Sequence, residues 1–334
     1  MLALACACLG TLWLLLAALT LVNRAAYDRW RRVGRRRLPT RGSSRERRLL
    51  RRAAVHRTGV GRWRRIATLQ ALVEGGHPKA PALLRRALAD PDLEVVAGTV
   101  KALGDVGAEW AAEQLVRALR EERYSRSRVA AQLERFAPGI GHLLVPLLSD
   151  REAPVRFWGA TLLARYPGLA VGRLSACTRD EDANVRAAAV EALGGSGDAD
   201  ALPAALALLD DPAWFVRAHA CRAVGALGSG EVAPRVAALL ADDWWWVRAA
   251  AKDALRGLGA SAVPALVSLL DHDDRFARNS AAEVLQDVGF VDALAARDPE
   301  APLLERIYWA GGKRFREAAA RRRGAFAQPE TQAA

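Results

Sequence analysis

Residues 184–194 read Asn184-Val185-Arg186-Ala187-Ala188-Ala189-Val190-Glu191-Ala192-Leu193-Gly194, and the phrase returns as Phe215-Val216-Arg217 running to Val224-Gly225. In the first of these stretches Val185, Ala188, Ala189, Ala192 and Leu193 fall at i, i+3, i+4, i+7 and i+8, one apolar stripe of an α-helix. Further copies run from Trp246-Val247-Arg248 to Leu255, from Ala277-Arg278 to Leu285, from Val95 to Leu103-Gly104 and from Val155-Arg156 to Leu163. Weaker copies begin at Arg65 and Arg126. One column measures the period: Arg65, Val96, Arg126, Arg156, Arg186, Arg217, Arg248 and Arg278 are spaced by 31, 30, 30, 30, 31, 31 and 30 residues. Self-similarity of this regularity signals a repeat architecture.

Working outward from that helix, Gly194-Gly195-Ser196-Gly197 is read as its terminator. A second apolar run follows in each copy, such as Leu202 to Leu209, Val232 to Leu240 and Val263 to Leu270, with Pro203, Pro234 and Pro264 near its start, where a missing N–H costs nothing. An acidic turn closes the unit: Asp210-Asp211-Pro212, Asp242-Asp243 or Asp271-His272-Asp273-Asp274. A single helical hairpin cannot bury its own stripe, so the units must stack on one another, and the small Ala positions let them come close. The expected fold is all-α, eight stacked helix pairs forming a right-handed superhelix.

The pattern D-x-x-V-R-x-x-A-x-x-A-L-G-x-x-G, followed by A-x-x-x-L-x-x-L-L, resembles the short HEAT repeats of the type named after phycobilisome lyases, over roughly residues 62 to 295. The resemblance implies an α-solenoid of about eight HEAT-type helix pairs. It leaves function open, because such repeats serve enzymes, adaptors and scaffolds. Two copies depart from the pattern, the third at Glu121-Glu122-Arg123-Tyr124-Ser125-Arg126 and the fourth at Arg165-Tyr166-Pro167-Gly168.

Before the repeats, Met1 to Val22 carries no charged side chain, and 22 helical residues at ~1.5 Å each match a hydrocarbon core about 30 Å thick. Nothing basic precedes this run. It is therefore read as one N-terminal transmembrane helix and not as a cleaved signal. Residues 23–66 then hold seventeen Arg against Asp28 and Glu46, whereas residues 67–295 hold 24 Lys/Arg against 30 Asp/Glu. The net charge of +12 thus belongs to a basic collar beside an acidic body. By the positive-inside rule the N-terminus faces outward and the solenoid is cytoplasmic, with Arg31, Arg32, Arg35, Arg36 and Arg37 facing lipid headgroups. The repeat type and the Ala/Arg-rich composition suggest a bacterial inner-membrane protein. The expected divisions are 1–22 anchor, 23–61 basic juxtamembrane linker, 62–295 solenoid and 296–334 capping helix with a disordered tail, the helix breaking at Gly311-Gly312.

Two sets of residues carry functional expectations. Acids stand five or six residues before each Arg of the column from Arg126 onward: Glu121, Asp150, Asp180, Asp211, Asp242 and Asp273. Together with Arg126, Arg156, Arg186, Arg217, Arg248 and Arg278 they are read as a structural ladder, each acid capping a helix and pairing with its own or a neighbouring Arg. Aromatics recur along one edge, with Trp214-Phe215 in the sixth copy and Trp244-Trp245-Trp246 in the seventh, the latter aligned also with Phe276. Large rigid aromatics anchor protein interfaces, so these five are the candidate partner site. Trp63 and Trp158 are read as core.

Catalysis finds little support. The histidines are His56, His77, His142, His219 and His272, none followed by Glu, and there is no phosphate loop, nucleophile motif or CxxC pair among Cys6, Cys8, Cys177 and Cys221. His219 replaces Ala188 and Ala250 of sister copies and is expected to be buried and hydrogen-bonded. No cofactor or metal is expected, and an acidic body disfavours nucleic acid. The expectation is a membrane-tethered scaffold or adaptor for a protein partner. The family resemblance keeps a bilin-lyase-like enzyme or chaperone subunit as the alternative.

Overall fold

The computed structural model describes residues 41–55, 60–136 and 138–312, with Ala25, Phe315 and Glu317 besides. The expected anchor 1–22 and collar residues Arg31, Arg32, Arg35, Arg36 and Arg37 lie outside the described residues, as does most of the expected tail. Among the described residues all regular structure is helical. Each of the eight positions of the column opens or lies near the start of a helix: Val60–Glu74, Leu93–Val106, Arg126–Leu133, Ala153–Leu163, Ala183–Gly194, Trp214–Leu227, Trp245–Leu258 and Arg275–Asp287. These are the first helices of the repeats. Shorter second helices alternate with them, among them Ala80–Leu88, Glu109–Arg120, Leu202–Ala207, Ala233–Ala238 and Val263–Ser268.

Local chemistry explains the boundaries. Asp92, Asp182 and Asp274 cap first helices by accepting amide N–H groups of Glu94 (3.0 Å), Asn184 (2.7 Å) and Ala277 (2.7 Å). Pro203, Pro234 and Pro264 sit in the first turn of their second helices. Each of these helices then tightens into a 3₁₀ turn, Leu208–Asp210, Leu239–Ala241 and Leu269–Asp271.

The chain divides into two compact units, with the sequence boundary between Leu143 and Leu144. The first buries Ile66, Leu69, Leu72, Leu84, Leu103, Leu115 and Leu119. It also contains the helix Ser44–Ala54, inside the stretch expected as linker. Ser43 caps that helix at Glu46 N, and His77 Nε2 lies 2.9 Å from Glu46 Oε1. Arg65 Nε donates to the Ala53 carbonyl at 2.9 Å, which ties the helix to the first repeat.

The second unit is a run of stacked hairpins whose core includes Val185, Leu193, Val216, Val224, Val247, Leu255, Leu266 and Leu285. The irregular turn between its helices Ala153–Leu163 and Val171–Cys177 passes through Gly168 at φ +77° and Ala170 at φ +62°, the latter a conformation that costs a non-glycine residue energy. The far end is closed by helix Pro302–Ala310, which buries Leu304, Ile307 and Ala310 and ends at Gly311. The run Trp245–Asp271 is long and apolar enough to pass for a membrane span by composition. It is the seventh hairpin, with Val247, Ala250, Ala251, Leu255 and Leu266 in the core.

The helix Ala183–Gly194 ends in the glycine run as expected, with Gly195 as its C-cap, and Gly194 has a second role. It is the last residue of helix Ala183–Gly194, where a Cβ would stand 2.8 Å from the Ala223 Cα of the next first helix. Gly225 repeats the arrangement 2.8 Å from the Ala254 Cα. These glycines let consecutive first helices touch backbone to backbone.

Candidate functional site

The site grows out of the arginine ladder. Arg186 reaches forward 25 residues, its Nε and a terminal nitrogen gripping both oxygens of Asp211 at 2.7 and 2.9 Å. Arg217 does the same to Asp242 at 2.7 and 2.9 Å, and Arg156 to Asp180 at 2.7 and 2.8 Å. In the first unit Arg65 pairs with Asp90, both almost fully buried. The remaining nitrogen of each second-unit arginine donates backward to the carbonyl six residues before it: Asp150 at 3.0 Å, Asp180 at 2.9 Å and Asp211 at 2.8 Å. The same aspartates accept the amide two residues on, as Asp180 from Asp182 N, Asp211 from Ala213 N and Asp242 from Trp244 N. Every rung therefore locks one acidic turn internally and staples it to the preceding repeat, with a planar fork on a planar carboxylate.

Electrostatics agree with the geometry. The Asp carboxylate beside each of Arg156, Arg186 and Arg217 raises its guanidinium above the ordinary value, more than burial lowers it. Burial alone would raise the Asp180 carboxyl. The hydrogen bonds from Arg156 and the Asp182 amide, with the charges of Arg156 and Arg186, outweigh it and hold the group below the usual range.

The offset of six sorts the acids. It passes through Asp90, Asp150, Asp180, Asp211 and Asp242, then through His272. Asp273, expected as the eighth copy's acid, is off register; it gives Arg278 only its backbone carbonyl, at 2.9 Å. Glu121 is off register as well, and the position six before Arg126 is Arg120. Arg126 instead lies 3.6 Å from Glu122 and donates to the Leu119 carbonyl at 3.0 Å. The copy that lacks the ladder arginine, at Val96, is the one followed by Arg120 in place of the acid.

The ladder changes character at Arg248. Its backward bonds persist, to the carbonyls of Asp242 (2.7 Å) and Asp243 (3.1 Å). Where its forward partner should stand is His272, whose Nδ1 accepts the Asp274 amide at 3.0 Å just as the aspartates accept theirs. The Arg248 fork meets no carboxylate among the described residues. It lies instead over the Phe276 ring, 5.0 Å from the centroid, and Arg275 lies 5.5 Å from the same ring.

A cleft of about 330 Å³ opens there, between Trp245–Leu258 and Arg275–Asp287, lined by Trp245, Arg248, Lys252, Arg256, Phe276 and Glu283 among others. Its cause is a change in the column that faces the next repeat. Cys221 and Gly225 occupy that column in the sixth copy; Lys252 and Arg256 occupy it in the seventh. Lys252 pairs with Glu283, and Arg256 with Asp287 and Asp253, both at 2.7 Å, so ion pairs span the space that Gly and Ala close elsewhere.

The aromatic edge splits in two. Trp214 is partly buried, stacked on Trp244 at 5.4 Å with Phe215 edge-on at 5.8 Å. Trp244, Trp245 and Trp246 remain 50, 60 and 58% exposed, and Phe276 51%. Trp245 and Trp246 form a T-shaped pair at 4.6 Å beside the cleft. Trp63 and Trp158 are partly buried, short of core. Arg248, expected only as a ladder rung, belongs to this site too, and His272 and Arg275 join it; the six-residue register was the signal that could have found His272, and no comparable signal marks Arg275.

The remaining polar groups differ from expectation in one case. His219 is partly exposed, and its Nδ1, 3.4 Å from Glu191, makes no hydrogen bond, against the expectation of a buried, bonded ring. Burial, Arg222 beside it and Glu191 opposing them leave its pKa below the ordinary value. Burial pushes the Cys221 thiol up to about 12, which removes it as a nucleophile at neutral pH, and raises Cys177 too. Among the described residues no cluster of His, Cys, Asp and Glu could hold a metal ion.

Comparison with known proteins places HEAT repeats at residues 62–134 and 170–256. No curated protein matches the sequence. Similar solved structures include an engineered protein, 18% identical over 90% of this chain and 93% of its own, with a TM-score of 0.43. Human deoxyhypusine hydroxylase is 21% identical over 73% of this chain and 96% of its own, TM-score 0.32. The complex of CpcE and CpcF of phycocyanin lyase from Nostoc is 21% identical over 73% of this chain and 92% of its own, TM-score 0.34. Likenesses of this size say nothing about activity.

Proposed function

We propose that this chain of HEAT repeats is a non-catalytic scaffold that docks a protein partner on the aromatic edge of its second unit. The observation that carries the reading is the exposure of Trp244, Trp245 and Trp246, each by half or more, on helices whose turns are pinned by the ladder. Three adjacent indoles held open to solvent are costly unless something covers them, and rigid aromatics are favoured interface anchors. We further propose that residues 1–22 tether the scaffold to the cytoplasmic face of a bacterial inner membrane. The charge-free run and the arginines after it support this.

Crosslinking in cells and capture of the full chain, wild type beside Trp244/Trp245/Trp246→Ala, tests the docking reading. Loss of specific partners from the variant is expected, and identical partner sets would overturn it. Alkaline extraction of membranes tests the tether. The full chain is expected in the pellet, and its release into the supernatant would refute an integral anchor.

A further inference from the structure

Resting on the docking reading, we infer that the cleft beside Trp245 takes an acidic side chain of the partner, an Asp or Glu next to an apolar residue, on the free fork of Arg248. Three sister arginines show what this fork is shaped to do. Arg156, Arg186 and Arg217 each use Nε and the nitrogen beside it to hold both oxygens of one carboxylate at 2.7 to 2.9 Å. Arg248 is oriented by the same pair of backward carbonyl bonds, so its fork is presented in the same way, preorganised at no further cost. The chain supplies His272 where the carboxylate would stand, and His272 already spends Nδ1 on the Asp274 amide.

The surroundings fit the same ligand. Lys252 and Arg256 are engaged by Glu283, Asp253 and Asp287, which leaves Arg248, against Phe276, as the cation lining the cleft whose fork meets no carboxylate among the described residues, with Arg275 against the same ring. A guanidinium stacked on a ring keeps its edge open for in-plane bidentate bonding. Trp245 and Phe276, both more than half exposed, flank that edge and offer apolar contact to the residue beside the carboxylate. A lone anion would use the arginines and leave the aromatics without purpose. An apolar segment would do the reverse.

The test uses the full chain and a panel of fluorescent peptides, acetyl-Gly-X-Asp-Z-Gly-amide with X and Z drawn from Phe, Leu, Trp and Val. Each has an Asn twin and a twin without Asp that ends in a free carboxylate. Anisotropy is expected to show at least one Asp peptide binding tenfold or more tighter than its Asn twin. His272→Asp supplies the ladder's own carboxylate and is expected to erase that preference while raising the melting temperature. His272→Asn, which supplies no charge, is expected to keep the preference. Equal binding of every Asp and Asn pair, or full preference in folded His272→Asp, would overturn the inference, as would tightest binding by the free-carboxylate twins. Partner loss in the tryptophan variant together with no Asp preference would leave the docking reading standing and this inference fallen. Unchanged partners with an intact preference would do the opposite.

Discussion

Helix Trp214–Leu227 meets Trp245–Leu258 through Gly225 against the Ala254 backbone, whereas Trp245–Leu258 meets Arg275–Asp287 across Lys252 with Glu283 and Arg256 with Asp287. The first seam is pressed to backbone contact; the second is a charged cleft with exposed aromatics at its mouth. Both belong to the same repeat design, and the buried stripe is intact on either side, as Val247, Ala251 and Leu255 answer Ala277, Ala281 and Leu285. A repeat array can therefore open one seam without losing its core, by changing two residues in the column that faces the next unit. Where a seam opens, the rung beside it loses its carboxylate too, so the chain gives up two ties at one place.

The contrast can be broken most violently at Gly225. Gly225→Val puts a branched side chain against the Ala254 Cα, where neither backbone can retreat, and is expected to cost about 4 kcal/mol. In the open seam the same column tolerates change: Arg256→Ala is expected to cost under about 1 kcal/mol. Thermal melts followed by circular dichroism read both, at about 2–4 °C per kcal/mol for a unit of this size. Equal shifts would mean that the two seams bear similar loads.

The ladder offers the next largest difference. Arg217→Ala strands the nearly buried Asp242 carboxylate without its fork and is expected to destabilise by about 3 kcal/mol. Arg248→Ala strands no carboxylate and forfeits two carbonyl bonds and a ring contact, an expected loss of about 1 kcal/mol. Chemical denaturation of the two variants in parallel measures the ratio. A ratio near one would remove the claim that the rungs differ in kind.

Much of this frame was legible in residues alone, because a period of 30 or 31 with Arg65, Arg126, Arg156, Arg186, Arg217, Arg248 and Arg278 in one column leaves few alternatives to stacked helix pairs. Physical degeneracy hid the rest. A glycine that ends a helix and one that lets two helices touch look identical in sequence, so the second role of Gly194, beyond ending its helix, is invisible there. Lys252 and Arg256 pass for solvated positions until the fold shows that Cys221 and Gly225 face the next repeat. Asp273 attracted the pairing because it is an acid one place from the register, and nothing in composition says that His272 can accept the turn amide as an aspartate does. Trp214 and Trp244 look equivalent until one is found stacked beneath the other.

Titration separates the rungs more gently. The Asp180 carboxyl is held below its ordinary range, so its contribution is complete above the unfolded value, about pH 4, and is lost as pH falls through the lower folded one. The melting temperature of the wild type is expected to fall more steeply below about pH 4 than that of Asp180→Asn, with the curves parallel at neutral pH. Parallel curves throughout would show that Asp180 titrates alike in both states.

The smallest effect probes the cleft itself. Lys252 and Glu283 face one another with the carboxylate half exposed, where water screens the pair and side-chain entropy opposes it. Lys252→Met is expected to move stability by no more than about 0.5 kcal/mol, although it deletes a contact at the centre of the seam. That near-neutrality is informative because Cys221, in the same column one repeat earlier, is fully enclosed, and Cys221→Lys would bury an unpaired ammonium at a cost of several kcal/mol. If Lys252→Met instead matched a core substitution, the charges would be holding the seam together, and the cleft would be a joint under tension with no room for a partner's side chain.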